Sequence, residues 1–239
     1  MKQKISLSNE LQSFNSAELQ AIIFDFDGTL VDSEPVWKDI FFDLFKEHYN
    51  VDVSYDILWK NTGGGVDKSV HNTANAYNLN FSNEQIIEMT NLINEEAHRR
   101  LLTLPLRPGA TELFEWAESQ GIAMAICTAS TYDLINTYFG NLDMLGYFDE
   151  VLSTSLSKPD ERKPHPYPYL QLLTKLDIEA DQTLVIEDSP AGVISSRAAG
   201  IATIAIHNPF IEDRVIEAKP MVQLKDFHQV LGLLASSLQ

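Results

Sequence analysis

The chain has 239 residues, 44 % of them hydrophobic, which excludes wholesale disorder and fits one large domain or one domain carrying a smaller insertion. Its 34 acidic residues outnumber 17 basic ones for a formal net charge of −17, and no Lys/Arg cluster is present, so nucleic acid is excluded as a partner. A single cysteine, Cys127, excludes an internal disulfide framework, and no run approaches the roughly 18 apolar residues of a membrane span. A cytoplasmic protein with no membrane partner is expected.

In chain order, residues 1–19 form a polar-rich leader without the apolar core of a secretory signal. Ala21 to Phe24 is a short, wholly apolar, partly β-branched run, the pattern of a buried strand in a parallel sheet. Asp25 and Asp27 follow it two residues apart, so an extended backbone sends both side chains to one face, and Gly28 lets the chain turn. Paired carboxylates at a strand end are costly unless a proton or a cation neutralises them. The pattern asks for a metal and a phosphoryl group.

The next stretch breaks into helices. Val36, Trp37, Ile40, Phe41, Leu44 and Phe45 recur at helical spacing, a shorter helix is expected near 67–77 after a Gly-rich turn, and Ser82 caps a helix carrying Ile86, Ile87, Ile93 and Ala97. From Arg107-Pro108-Gly109 onward, strands and helices alternate. Helix 110–119 precedes strand Ile122 to Cys127, and helix 132–139 precedes a short edge strand, Val151 to Ser153. Helix 169–176 leads to strand Thr183 to Ile186, and helix 191–199 to strand Thr203 to Ile206. The alternation predicts an α/β fold, a doubly wound Rossmann-like parallel sheet with an inserted helical domain. The core takes residues 1–34 and 105–239, the insertion 35–104.

Asp25, Thr128 and Asp188 all follow apolar runs, at the strand ends where doubly wound sheets bind ligands. A carboxylate there can attack phosphorus, and a second can protonate the leaving oxygen and then activate water. Mg²⁺ suits one or two carboxylates plus phosphate oxygens, with Glu187 and Asp188 adding acids from another strand. Lys163 can hold the nucleophile and the transferred oxygens, and Thr128 can donate to a phosphate oxygen. Each has a plainer reading: Asp-Gly as a turn pair, Glu187 as a solvated acid, Thr128 as a helix cap, Lys163 as a surface lysine. Trp37, Trp59 and Trp116 fit core or interface packing, and the six histidines lack zinc spacing. Gly63 to Ser69 is no P-loop, because Asp67 stands where the glycine before the lysine is required.

Asp25-Phe26-Asp27-Gly28-Thr29-Leu30-Val31-Asp32-Ser33-Glu34 resembles the first motif of the haloacid dehalogenase superfamily, in its sugar-phosphatase and β-phosphoglucomutase-like branch. Ile126-Cys127-Thr128 resembles the second motif, Lys163-Pro164-His165-Pro166 the third, and Glu187 to Gly192 the fourth; the helical insertion resembles the family's cap. The resemblance implies Asp25 as nucleophile and Asp27 as general acid/base, with Thr128, Ala129 and Lys163 binding phosphate. It implies Asp25, Asp188, Glu187 and the Asp27 carbonyl around Mg²⁺. Glu34, Gly64, Val66 and Lys68 fall at the positions implied to set substrate specificity. Lys158-Pro159 offers a second candidate lysine, and Tyr167 departs from the acidic residue usual after the third motif. The expectation is a monomeric Mg²⁺-dependent phosphatase of small phosphorylated metabolites. A phosphosugar mutase is the alternative, opposed by Val66 where the mutase carries an arginine. A non-catalytic protein of the same fold is the third possibility, opposed by the complete set of acids.

Overall fold

The computed structural model describes residues 16–59, 65–209 and 212–236. Most of the expected leader, and Gly63 and Gly64 of the specificity turn, lie outside them. A parallel sheet carries the fold, with strands β1 (Ala21–Phe24), β2 (Ala123–Thr128), β3 (Glu150–Ser153), β4 (Thr183–Glu187), β5 (Ala202–Ile206) and β6 (Val222–Leu224). Their spatial order is β3-β2-β1-β4-β5-β6, so β1 lies between β2 and β4 where the winding direction reverses. Phe24 pairs with both Ile126 and Ile186, which sets the end of β1 beside the C-terminal parts of β2 and β4 and collects residues 25, 127 and 187 at one edge.

The apolar runs are continuous because both sheet faces are covered. Ile22 and Phe24 point into one core layer with Ile126 and Ile186, and Ile23, Ala125 and Val185 point into the other. The first layer packs against α5 (Ala110–Ser119), α6 (Tyr132–Asn141) and α10 (Phe227–Ser236); the second packs against α7 (Tyr167–Leu176). Helices α8 (Pro190–Ala198) and α9 (Glu212–Glu217) complete this side. Phe24 meets Phe114 and Phe148 edge to face, with centroids 5.3 and 6.3 Å away.

Between β1 and α5 the chain forms α1 (Glu34–Tyr49), α2 (Tyr55–Trp59), α3 (Val66–Ala76) and α4 (Asn83–Leu101). Ser82 starts α4 with a reciprocal capping box to Gln85. The outgoing and returning segments run side by side, with Val31 bridging Leu106 and the Arg107 N–H donating to the Leu30 carbonyl at 2.7 Å. The helical segment is thereby tethered over the β1 end.

Some elements differ from expectation. Strand β6 was not anticipated, because Val-Gln-Leu is three residues long and holds a polar residue at an edge position. Helix α7 starts two residues earlier than expected, at Tyr167, with Pro168 accommodated in its first turn. Ile87, assigned to the buried stripe of α4, is 61 % exposed.

Phe24 is fully buried among aromatic rings, so Phe24→Ala is expected to lower unfolding free energy by about 3–5 kcal/mol. Urea denaturation followed by tryptophan fluorescence measures this; a change below about 1 kcal/mol contradicts the packing described.

Candidate active site

Asp25 leaves the end of β1 with its N–H donating to the Ile186 carbonyl at 3.0 Å. Its carboxylate Oδ1 accepts from Lys163 Nζ at 2.7 Å. The same ammonium donates to Glu187 Oε1 at 2.6 Å and to the Cys127 carbonyl at 2.8 Å, which uses all three of its N–H groups. Burial works against the Lys163 charge, but the carboxylates of Asp25 and Glu187 outweigh it and hold its pKa well above the usual lysine value. Lys158, the other candidate lysine, is exposed and pairs with Glu161. The thiol of Cys127 is buried, which pushes its pKa up to about 12 and keeps it inert.

Glu187 is fully buried and fully engaged. Oε1 accepts from Lys163 and from Tyr169 Oη, while Oε2 accepts from the N–H groups of Asp188 and Ser189 and from Ser189 Oγ. A Cβ on Gly192 would fall 1.7 Å from Glu187 Oε1, so glycine is required at that step of α8. Asp188 accepts from Thr29 Oγ1 at 3.1 Å and Asn208 Nδ2 at 2.8 Å. Gly28, at φ +79°, passes so close to Asp188 that a Cβ would sit 2.1 Å from Oδ2.

Asp25, Glu187 and Asp188 each offer an oxygen within 4.8 Å of the others, and all three are buried. An all-oxygen carboxylate set fits a hard divalent cation such as Mg²⁺. Glu187 already accepts five hydrogen bonds, against two described for Asp188 and one for Asp25, so Asp25 and Asp188 are the acids with capacity to spare. The repulsion is visible in their proton affinities. Burial raises the Asp25 pKa well above the usual carboxyl value despite Lys163, and burial together with the Glu187 charge pushes Asp188 up to about 7.

Asp27 has a different environment from Asp25. Its Oδ1 accepts from Trp37 Nε1 at 2.7 Å and its Oδ2 from Ser130 Oγ at 2.5 Å. Burial raises its pKa while those hydrogen bonds oppose the rise. Trp37 comes from α1 and Ser130 from the loop after β2, so the two donors reach Asp27 from different parts of the chain. The sequence expectation of mere packing for Trp37 is therefore corrected: its indole N–H, which needs a partner when buried, binds a carboxylate of the site.

The cavity is lined by Asp25, Asp27, Lys163, Asp188, Ala129 and Ser130 at its base, and by Glu34, Trp37 and Val66 from the helical segment. Thr128 lies below it, fully buried, with its Oγ1 accepting the Ser130 N–H at 3.0 Å. Lys68 is exposed and is not part of the lining. Glu34 is 4 % exposed; burial and then the charges of Asp188 and Asp27 raise its pKa well above the usual value, against a hydrogen bond from Asn208. The sequence did not single out Ser130, Asn208 or Arg162. Arg162 donates to Asp67 at 2.5 Å and to the Ser155 and Ser157 carbonyls, joining the Lys163 loop to α3. Its one signal was its place directly before Lys163.

A family model described as haloacid dehalogenase-like hydrolase matches residues 22–206. Hexitol phosphatase B of Escherichia coli K12 is 29 % identical over 198 residues, 80 % of this chain and 85 % of that protein. Protein CbbY encoded on a plasmid of Cupriavidus necator is 30 % identical over 207 residues, 80 % of each chain. Among solved structures, β-phosphoglucomutase from Clostridium difficile superposes with a TM-score of 0.77 at 19 % identity, covering 92 % of this chain and 99 % of that one, a likeness of fold.

A carboxyl raised to about 7 from an ordinary 3.8 holds a proton in the folded state that the unfolded chain has already released. Metal-free protein is therefore expected to lose stability as pH rises between those values, by at most about 1.4 kcal/mol per pH unit for one such group. Melting curves in EDTA from pH 5 to 8 should show Tm falling, with a shallower slope for Asp188→Asn. Parallel slopes for the two proteins contradict the assignment.

Proposed function

The chain belongs to the haloacid dehalogenase-like hydrolase family, and from that premise we propose that it is a Mg²⁺-dependent phosphatase of small phosphate monoesters, sugar phosphates foremost. It works as a cytoplasmic monomer through an aspartyl-phosphate on Asp25. The observation that carries the proposal is the unlike settings of two carboxylates two residues apart: Asp25 on the Lys163 ammonium, and Asp27 between Trp37 and Ser130. A phosphatase of hexitols among the relatives supports the substrate class. No helix among the described residues is long and apolar enough to cross a membrane.

Asp25 attacks phosphorus in line with the ester oxygen. Lys163 keeps Asp25 oriented, and Ala129 and Ser130 line the cavity beside it. Asp27, whose burial favours its protonated form, gives its proton to the departing alcohol oxygen. Trp37 and Ser130 then stabilise the carboxylate it becomes. Asp27 next takes a proton from water, which attacks phosphorus, breaks the bond to Asp25 and releases phosphate. Asp25, Asp188 and the Asp27 carbonyl, with Glu187 in support, would hold Mg²⁺, which when bound would supply positive charge against the repulsion between Asp25 and the phosphoryl oxygens. A mutase is the less favoured reading, because Val66 lines the cavity at the position where that enzyme carries an arginine.

Asp25→Asn is expected to fold normally and to release no phosphate from any ester, and chelation of Mg²⁺ is expected to abolish turnover of the unaltered protein reversibly. A phosphate-release assay with p-nitrophenyl phosphate checks both; near-normal release by Asp25→Asn contradicts the mechanism.

A further inference from the structure

Asp25 and Asp188, the two acids with capacity to spare, are held by unlike partners. Asp25 leans on the Lys163 ammonium, which takes up part of its charge. The groups bonded to the Asp188 carboxylate are neutral. Thr29 Oγ1 donates to Oδ1 at 3.1 Å and Asn208 Nδ2 to Oδ2 at 2.8 Å, while Gly28 packs so close to Oδ2 that no Cβ would fit. Neutral donors orient a carboxylate without cancelling its charge, and with one donor on each oxygen both oxygens keep capacity for a cation.

Of the two donors, Asn208 comes from the more distant part of the chain. It lies two residues beyond β5 and is fully buried. The backbone there is fixed on both sides of the preceding peptide unit. The His207 N–H donates to the Leu224 carbonyl at 2.7 Å, and Arg107, on the segment returning from the helical insertion, donates to the His207 carbonyl at 3.2 Å. The side-chain amide has two N–H groups to give. Besides Asp188 it bonds the carboxyl of Glu34, the first residue of α1. Glu34 and Asp188 repel one another, so the amide bridges two acids that would otherwise meet unaided. Resting on the Mg²⁺-dependent function proposed above, we infer that Asn208 is a positioning residue for cation binding: bonded to both carboxyls, it keeps Asp188 grouped with Asp25 and Glu187 and away from Glu34. Asn208 ligates nothing itself and acts through Asp188. Without its amide, Asp188 keeps Thr29 alone and is free to turn, and the loss of such an outer partner weakens metal binding by about 10–100-fold.

The test is Mg²⁺ affinity in the absence of substrate, by isothermal titration calorimetry of MgCl₂ into the full chain stripped with EDTA and dialysed, for wild type, Asn208→Ala and Asn208→Ser. Asn208→Ala has no side-chain donor and is expected to bind Mg²⁺ at least about tenfold more weakly than wild type. Asn208→Ser keeps one hydroxyl and is expected to fall between them. Turnover of p-nitrophenyl phosphate by Asn208→Ala is expected to be depressed at low MgCl₂ and to recover as MgCl₂ is raised, which general damage to the fold would not allow. Equal Mg²⁺ affinities for the three proteins overturn the inference, as does a deficit that MgCl₂ fails to relieve. Should Asn208→Ala fail to fold, Asn208→Ser decides: weaker binding supports the inference and unchanged binding overturns it. Ester hydrolysis with equal Mg²⁺ affinities removes only this inference. Wild type that binds Mg²⁺ yet hydrolyses no ester removes the phosphatase function and leaves the calorimetric comparison to decide the role of Asn208, whereas wild type that binds no Mg²⁺ removes both.

Discussion

A buried ammonium organises this molecule. Lys163 Nζ sits between Asp25, Glu187 and the Cys127 carbonyl, so one atom ties the ends of β1, β2 and β4 to the loop that precedes α7. Desolvating a charge on this scale is tolerable only when every donor finds a partner, and here every one does. The balance of the cluster is also deliberately incomplete in charge. One cation faces Asp25 and Glu187, with Asp188 packed beside them, so acids outnumber bases in the cluster, and burial raises the proton affinity of Asp25 and Asp188. Fold and chemistry meet in that excess of carboxylates, which the sheet register creates and which a hard divalent cation would balance.

The second carboxylate escapes the Lys163 cluster because the backbone turns at Gly28 immediately after it, with the Gly28 N–H donating to Ser33 Oγ at 3.1 Å. Asp27 therefore answers to Trp37 and Ser130 instead. Since Trp37 belongs to α1, the setting of the proposed acid/base depends on the helical segment lying over the sheet end. Arg162 strengthens the same connection from the other side, joining the residue before Lys163 to Asp67 at the start of α3. The proposed nucleophile and acid/base thus take their positions from different layers of the structure, which would give two aspartates two residues apart different tasks.

Much of this was legible in the amino-acid sequence. Ile22-Ile23-Phe24, Ala125-Ile126-Cys127 and Leu184-Val185-Ile186 are apolar because they are buried on both faces, and the polar residues that close each run mark the strand ends. Helix α4 was legible through Ser82 and its apolar spacing. What was hidden depends on contacts between distant segments. Trp37 has the spacing of a packing residue, and nothing nearby in sequence reveals that its N–H meets an aspartate. Asn208 and Ser130 are ordinary loop residues until the sheet brings β2 beside β1 and β5 beside β4. Thr128 follows its strand as expected, and its hydroxyl oxygen accepts the Ser130 N–H while keeping its own hydrogen to donate, a local turn bond that the residue type alone does not disclose. The choice between Lys158 and Lys163 rested on family pattern; in the structure one is exposed beside Glu161 and the other lies in the acid cluster.

The division of labour between Asp25 and Asp27 is tested most directly by pre-steady-state kinetics of Asp27→Asn with p-nitrophenyl phosphate. Its leaving group needs little protonation, so loss of the acid should spare the first step, while loss of the base should stall the second. The expected result is a burst of one p-nitrophenolate per site followed by very slow turnover, with base-labile phosphate recovered on the peptide containing Asp25. Absence of a burst together with steady turnover near that of the unaltered protein, or phosphate recovered on another residue, would contradict it.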